Sequence, residues 1–410
     1  MTVSKEQDLR KQFSWKRIMI PVVLGLAAAL YLLWHNLNSY NYVVATPEEI
    51  GTHDWVDANG NGQVDKSDDA EFVPAVDGAY VFKSSSQILS ELKWSKYMAI
   101  GLLGALLMVI IRDLGYIYRI RSMTDKKLSW RASFEVIMLW EFASALTPSV
   151  VGGSGIAMFI INREGINMGK ATAITFVTAM LDEIFYIIMV PVVFIIIGSD
   201  ALFPSMWVSE SFGTSSIKVL FFIGYFFIVF LTLLILGGIF WRPNLFKRLL
   251  QRITSLRGLK SLQKRATRLG DEIIISSQEL RGKPLSYWSK SFIATMMSWT
   301  ARFFTLNFIL LAFVQEKGMD HLLVYGRQLV MWVIMLISPT PGGSGIAEIA
   351  LAKFFDFMVP AGLLAVVAII WRLLTYFPYL FMGVVVLPRW FRRTGLIQAE
   401  IQARQVSQGN

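Results

Sequence analysis

Pro148-Ser-Val-Val-Gly152-Gly153-Ser154-Gly155-Ile-Ala157 and Ser338-Pro-Thr-Pro341-Gly342-Gly343-Ser344-Gly345-Ile-Ala347 carry one hexapeptide, Gly-Gly-Ser-Gly-Ile-Ala, at positions 190 apart. Each copy interrupts an apolar stretch, 133–161 in the first half and 322–357 in the second. The same offset carries the apolar run that starts near Trp94 onto the one near Pro284, and 167–198 onto 357–388. Matched, Gly/Pro-broken apolar segments in two halves of a chain mark an internal repeat with its site near the midplane of a membrane.

Outward from these motifs the chain is apolar. Of 410 residues, 54% are hydrophobic and 17% charged, against about 25% charged in soluble domains. That excludes a disordered chain and a single water-soluble globule. A membrane helix needs about 20 mostly apolar residues, and such runs lie near 18–37, 94–114, 167–198, 217–241, 285–314 and 359–388. The first is read as a retained span, because no small-residue cleavage site follows Leu33. With no Cys, the chain has no disulfide, thiolate nucleophile or thiolate-bound metal. His35, His53 and His321 are too scattered for a His-rich metal site.

The net charge of +10 is layered. Residues 38–93 hold ten acids and three Lys, whereas 242–283 hold eleven basic residues and three acids. Residues 1–17, 112–131 and 389–410 also carry a basic excess. Lys/Arg-rich loops stay cytoplasmic, so both termini, 112–131 and 242–283 are expected inside and 38–93 outside. Parity then makes 133–161 enter and leave from the inside and 322–357 from the outside. The expected fold is an all-α polytopic membrane protein: inverted-topology repeats, two re-entrant Gly-rich hairpins and about six full spans. Its expected parts are the N-terminus and first span (1–37), an acidic outer loop (38–93), repeat 1 (94–241), a basic linker (242–284), repeat 2 (285–388) and a basic tail (389–410).

Irregular backbone at membrane depth is tolerated only where buried in protein or lining a wet cavity. Gly permits an unwound turn there. The free N–H groups of the half-helix that follows attract anions, phosphate above all. Gly152, Gly153, Ser154 and Gly155, with Gly342, Gly343, Ser344 and Gly345, are therefore candidate headgroup-binding residues. Asp182 and Glu183 fall mid-span, as does Arg372, and the 190 offset sets Asp182 on Arg372. Embedded charges usually face a partner or an aqueous path. Arg302, Arg327, Glu141 and Glu348 are further candidates. These charges read either as fixed ion pairs or as a polar track for an anionic or zwitterionic headgroup.

The outer segment Asp57-Ala-Asn59-Gly-Asn61-Gly-Gln63-Val-Asp65-Lys-Ser-Asp68 has calcium-loop spacing, with Gly at position 6 and oxygen ligands at 1, 3, 5, 7, 9 and 12. Asp68 replaces the usual long Glu. A structural Ca2+ held by Asp57, Asn59, Asn61, Gln63, Asp65 and Asp68 is expected. The basic segment 242–283 reads as a helical hairpin or an amphipathic surface helix on anionic lipid.

Pro339-Thr-Pro341-Gly-Gly-Ser-Gly-Ile-Ala-Glu348 is close to a Pro-Gly-Gly-x-Gly-x-x-Glu pattern, and Pro148 to Gly155, Arg163-Glu-Gly165, Arg372, Tyr376 and Pro378 accompany it. On these residues, roughly 90–390 resembles the flippase-type membrane region of lysylphosphatidylglycerol synthase (multiple peptide resistance factor) and its stand-alone relatives. The resemblance implies a multi-pass protein of the bacterial inner membrane that moves lipid between leaflets. Members often carry Asp-Arg where this chain has Asp182-Glu183. The acidic 38–93 segment lies outside the family pattern. No aminoacyltransferase domain follows residue 388, so a transporter and not an enzyme is implied. The function expected is translocation of a phospholipid or polyprenyl-phosphate lipid, with membrane lipids as partners and no nucleic acid. The alternatives are an ion-coupled carrier of a small anionic solute and, last, a membrane transferase acting on lipid-linked substrates.

Overall fold

The computed structural model describes residues 23, 27, 31, 34, 40–45, 49–58, 60, 64, 69–147, 149–203, 214–255, 263–314, 320–336, 340, 343–355, 358–359 and 361–408. The chain is an α-helical polytopic membrane protein. Five described helices are long and apolar enough to cross a membrane. They are α2 (Lys96–Met123), α5 (Met168–Ile197), α7 (Thr214–Leu236, apolar from Ile217), α10 (Leu285–Phe313) and the pair α13–α14 (Ala361–Thr375, Phe377–Gln408), apolar over Leu363–Gly395. Of the first predicted span only Val23, Ala27, Tyr31 and Trp34 are described; they are helical and exposed. The last span breaks at Tyr376 because Pro378, which has no N–H, opens the second helix.

Both interrupted stretches form pairs of shorter helices. The first is α3 (Trp130–Leu146) with α4 (Ser149–Arg163); the second is α11 (His321–Met335) with α12 (Ile346–Phe355). Ser129 caps α3 by accepting from the Ala132 N–H at 3.1 Å, and Asp320 caps α11 by accepting from Leu322 and Leu323.

The two hexapeptides do not fold alike. In the second copy Gly343 (φ 68°) and Gly345 (φ 86°) make a left-handed turn before α12, the unwound junction expected there. In the first copy residues 152–155 lie inside α4, so the unwound turn expected there is absent. The flanks explain the difference. Pro341 and Glu348 of the second copy correspond, at minus 190, to Val151 and Met158. Glu348 accepts the Gly345 N–H at 2.8 Å and so caps the start of α12; a Met has no such acceptor, and Val151 leaves an N–H for the helix. Glycine serves packing in the first copy. A Cβ on Gly153 would lie 2.3 Å from Ser144 Oγ, so α3 and α4 approach closely there.

Two further departures bear on function. Residues 112–131 are not wholly a loop: α2 runs on to Met123, and Arg112 and Arg119 are buried. The acidic 38–93 segment contains a four-stranded antiparallel sheet of β1 (Tyr40–Val44), β2 (His53–Trp55), β3 (Phe72–Pro74) and β4 (Tyr80–Ser84), in the order β1-β4-β2-β3. Tyr42 stacks on Phe72 at 4.0 Å and tilts against Phe82 at 4.8 Å, which gives the sheet its own aromatic core. A short helix, α1 (Ser85–Ser90), follows β4. In the calcium-like segment, Asn59, Asn61, Gln63, Asp65 and Asp68 lie outside the described residues, while Asp57 is described and exposed. Among the described residues no cluster of three or more His, Cys, Asp or Glu forms a metal site. The basic 242–283 segment is a helical hairpin of α8 (Pro243–Ser255) and α9 (Gln263–Arg281).

By internal contacts the chain divides into two compact units. One comprises 1–109, 193–220 and 303–377 and contains the α11–α12 pair; the other comprises 110–192, 221–302 and 378–410 and contains α3–α4. Each has its own group of buried charges.

Candidate functional site

In the first unit the charges gather at the Gly343–Gly345 turn. Glu348 is 0% exposed and Arg372 6%. Arg372 Nε donates to Glu348 Oε1 at 2.7 Å and Nη2 to Oε2 at 3.3 Å, a forked contact between α13 and α12. The guanidinium also lies 4.6 Å over the Tyr376 ring, and Ser344 Oγ donates to Tyr376 Oη at 3.1 Å. Turn, carboxylate, guanidinium and phenol thus form one connected group. Arg327 does different work: its Nε and Nη1 donate to the carbonyls of Ala201 (2.8 Å) and Phe354 (2.9 Å). Those carbonyls close the last turns of α6 (Ser199–Leu202) and α12, where a cation complements the helix dipole.

The second unit holds a longer chain of charges. Arg112, 2% exposed, reaches Glu141 Oε2 at 2.5 Å. Arg302 Nη2 approaches the other Glu141 oxygen at 3.6 Å, with its guanidinium 4.6 Å over Trp299. Arg112 also donates to Tyr379 Oη, which in turn donates to Asp113 Oδ1 at 2.9 Å. Two turns further along α2, Arg119 Nη1 and Nη2 donate to Asp182 at 2.5 and 3.2 Å. Trp299 Nε1 and Thr295 Oγ1 complete that pair: the indole donates to Asp182 Oδ1 at 2.9 Å, and the hydroxyl accepts from Arg119 at 2.8 Å. Tyr116 lies between the two arginines, its ring 5.4 Å from Arg112 and 4.9 Å from Arg119. Three cations therefore meet three anions in a largely buried group, where each unpaired charge would cost several kcal/mol. Glu183 stands apart. It is 6% exposed, and its Oε2 has no hydrogen-bond partner among the described residues.

Of the residues predicted from sequence, Gly343, Ser344, Gly345, Glu348 and Arg372 come together in the first unit. Asp182, Arg302 and Glu141 join the network of the second. Gly153 serves hairpin packing, Gly155 faces open space, and Gly152 and Ser154 lie within α4. Gly342 lies outside the described residues. Sequence reasoning missed Arg112, Asp113, Arg119, Trp299 and Tyr379. A signal existed: Arg112, Tyr116 and Arg119 at i, i+4 and i+7 share one helix face, which a loop would not require.

Outside the spans, Asp125 sits in the turn after α2 with φ 54°. It accepts from Lys170 Nζ at 2.9 Å and Lys283 Nζ at 2.5 Å. Partial burial works to raise its carboxyl, but the two ammonium groups prevail and hold it below the usual value.

Residues 80–383 match the transmembrane region of lysylphosphatidylglycerol synthase. The chain belongs to that family. The match spans both groups of residues, from Arg112 to Tyr379, and leaves β1–β3 and the calcium-like segment before it. A UPF0104 membrane protein of Archaeoglobus fulgidus is 27% identical over 323 residues, covering 74% of this chain and 87% of the relative. No solved structure matches.

Proposed function

We propose that this family member translocates a phospholipid or polyprenyl-phosphate lipid between leaflets, with the headgroup phosphate received at the Gly343–Gly345 turn. The observation that carries this reading is the buried Glu348–Arg372 fork beside that turn. Arg presents a planar fork that phosphate matches as well as carboxylate does. A phosphate replacing Glu348 on Arg372 would release the carboxylate from the start of α12 and leave the Gly345 N–H to the ligand. Binding and a change at the hairpin would then be one event. Family membership supports a membrane substrate, and the apolar exterior of the spans leaves room for lipid tails.

We also read the paired short helices as re-entrant. Seventeen residues in α3, fifteen in α4 and in α11, and ten in α12 extend about 15–26 Å at ~1.5 Å per residue, short of the roughly 30 Å hydrocarbon core. The charge layers of the sequence support opposite sides for the two pairs and cytoplasmic termini. Purified protein in liposomes with a fluorescent-headgroup phospholipid, followed by quenching from outside, tests the function. Gly343→Leu and Arg372→Gln are expected to abolish protein-dependent exchange, and wild-type rates in both would refute it. An ion-coupled carrier of a small anionic solute is the second reading. The observation favouring it is Glu183, a buried carboxylate whose Oε2 has no hydrogen-bond partner among the described residues. Solute uptake without lipid exchange would select that reading.

A further inference from the structure

One face of α8 is unlike the surface of an ordinary soluble hairpin. At 100° per residue, Leu245, Leu249 and Ile253 form one stripe and Arg248 and Arg252 the stripe beside it, and all five are exposed. Arg242 and Trp241, just before the helix, are exposed as well, the Trp by 75%. The opposite face is occupied by α9. Lys247 Nζ donates to Asp271 Oδ1 at 2.5 Å and Gln251 Nε2 to Thr267 Oγ1 at 3.2 Å. Gly270 packs so closely that a Cβ there would lie 2.7 Å from Lys247 Cγ. These contacts fix the roll of α8 about its axis, so the apolar stripe and its arginines must point away from α9.

Position along the chain identifies what the stripe meets. The spanning helix α7 exposes Phe226, Phe230 and Leu233, the side a membrane helix turns to lipid. It ends at Leu236 in a π-helical turn, Gly237–Trp241, and α8 begins two residues later at Pro243. The chain therefore leaves the hydrocarbon with a Trp, which favours the interface, and at once forms an amphipathic helix. Residues 242–255 carry Arg242, Lys247, Arg248 and Arg252 and no acid. An apolar stripe bordered by arginine, without acids, complements a layer of negatively charged headgroups over acyl chains.

We propose that α8 lies in the headgroup layer of an anionic leaflet, with Leu245, Leu249 and Ile253 in the acyl boundary and Arg242, Arg248 and Arg252 on lipid phosphates. The assignment is independent of whether the protein moves lipid. Since the chain has no Cys, Leu249→Cys accepts a single environment-sensitive fluorophore in the full-length protein. In nanodiscs containing phosphatidylglycerol, the label is expected to emit as in an apolar medium and to be quenched by acyl-brominated lipid. In phosphatidylcholine alone the quenching is expected to fall. Replacing Arg242, Arg248 and Arg252 by Gln should lower the lipid-engaged population in the anionic discs by about fivefold per arginine. Water-like emission in both mixtures overturns the proposal, and equal quenching in both overturns the role of the arginines. Apolar emission that bromine does not quench, with energy transfer between labelled copies, assigns the stripe to a second copy of the chain and overturns it too.

Discussion

Glu348→Gln separates the two ways in which the Arg372 pair can matter. Glutamine keeps the shape of the side chain and the one oxygen that accepts from the Gly345 N–H and, at 3.3 Å, from Arg372 Nη2, but it loses the charge and sets an amide against Arg372 Nε, which donated to the other oxygen at 2.7 Å. Because Glu348 is 0% exposed, water cannot replace the lost carboxylate. Removing one partner of a buried pair costs about 3–5 kcal/mol. At ~2.1 cal/mol/K per residue over 410 residues, that lowers Tm by roughly 4–6 °C. Arg372→Met alone should cost a similar amount. Glu348→Leu with Arg372→Met removes both charges, and such apolar replacements are often neutral or stabilising, so the double variant should return to within about 2 °C of the wild type. Thermal unfolding in detergent, read by intrinsic Trp fluorescence, gives the stabilities, and lipid exchange in liposomes gives the activity. A headgroup site predicts a double variant that is stable and inactive. A Tm unchanged in Glu348→Gln would refute the energetic reasoning, and a double variant that exchanges lipid at the wild-type rate would refute the role in binding.

Five further outcomes are expected. Gly343→Ala places a Cβ at φ 68°, a conformation that costs about 1–2 kcal/mol for an L-residue; Gly153→Ala, with a Cβ 2.3 Å from Ser144 Oγ, should cost about 1–3 kcal/mol by forcing α3 and α4 apart, and denaturation midpoints report both. Tyr379→Phe leaves Asp113 and Arg112 without their shared hydroxyl and should destabilise by about 1–3 kcal/mol; a midpoint equal to wild type would show that the phenol is dispensable. Asp125→Asn tolerates the left-handed backbone but loses both lysines. Since the folded carboxyl is depressed below its ordinary 3.8, its contribution is complete above that value and is lost as pH falls through the lower folded one, so the wild-type advantage, about 1 kcal/mol for so accessible a cluster, should vanish in acid and persist at pH 7. Asp57→Ala should remove calcium-dependent thermal stabilisation if the segment before β3 binds the ion; an unchanged response to added calcium would end that expectation.

The spans were legible because about twenty apolar residues in a row have few other uses, and α2, α5, α7 and α10 begin or end within a few residues of the predicted runs. The buried half of α2 was not. Counting Arg112, Arg119 and Arg121 as loop charge assumes that basic residues avoid the interior, yet Arg112 and Arg119 are there with Glu141 and Asp182 as counter-ions. A linear charge count cannot see a partner 29 or 63 residues away. The sheet escaped for a related reason. Its strands are three to five residues long, and the acids between them dominated the reading of 38–93. The single-residue break at Tyr376 was readable from Pro378 but was overridden by the unbroken hydropathy.

The repeat offset, applied to the residues now placed, separates what the two halves share from what each acquired. It carries Arg112 onto Arg302 and Tyr186 onto Tyr376, as well as one glycine hexapeptide onto the other. It does not carry the acids: Glu141 falls on Met331, Glu348 on Met158, and Asp182 on the cation Arg372. The counter-ions are therefore particular to each half. Glu141 serves two repeat-related arginines, at 2.5 and 3.6 Å, while Asp182 and Arg372 find their partners, Arg119 and Glu348, within their own units. Where the acid stands beside the hexapeptide, as Glu348 does, the glycines are left-handed and the helix starts late; where Met158 stands instead, the glycines are absorbed into α4. A symmetric sequence thus yields one open turn and one closed one. Two flanking positions differ, Pro341 against Val151 and Glu348 against Met158, and exchanging Met158 and Glu348 alone asks whether the carboxylate is what holds the turn open and whether the open turn is what defines the site.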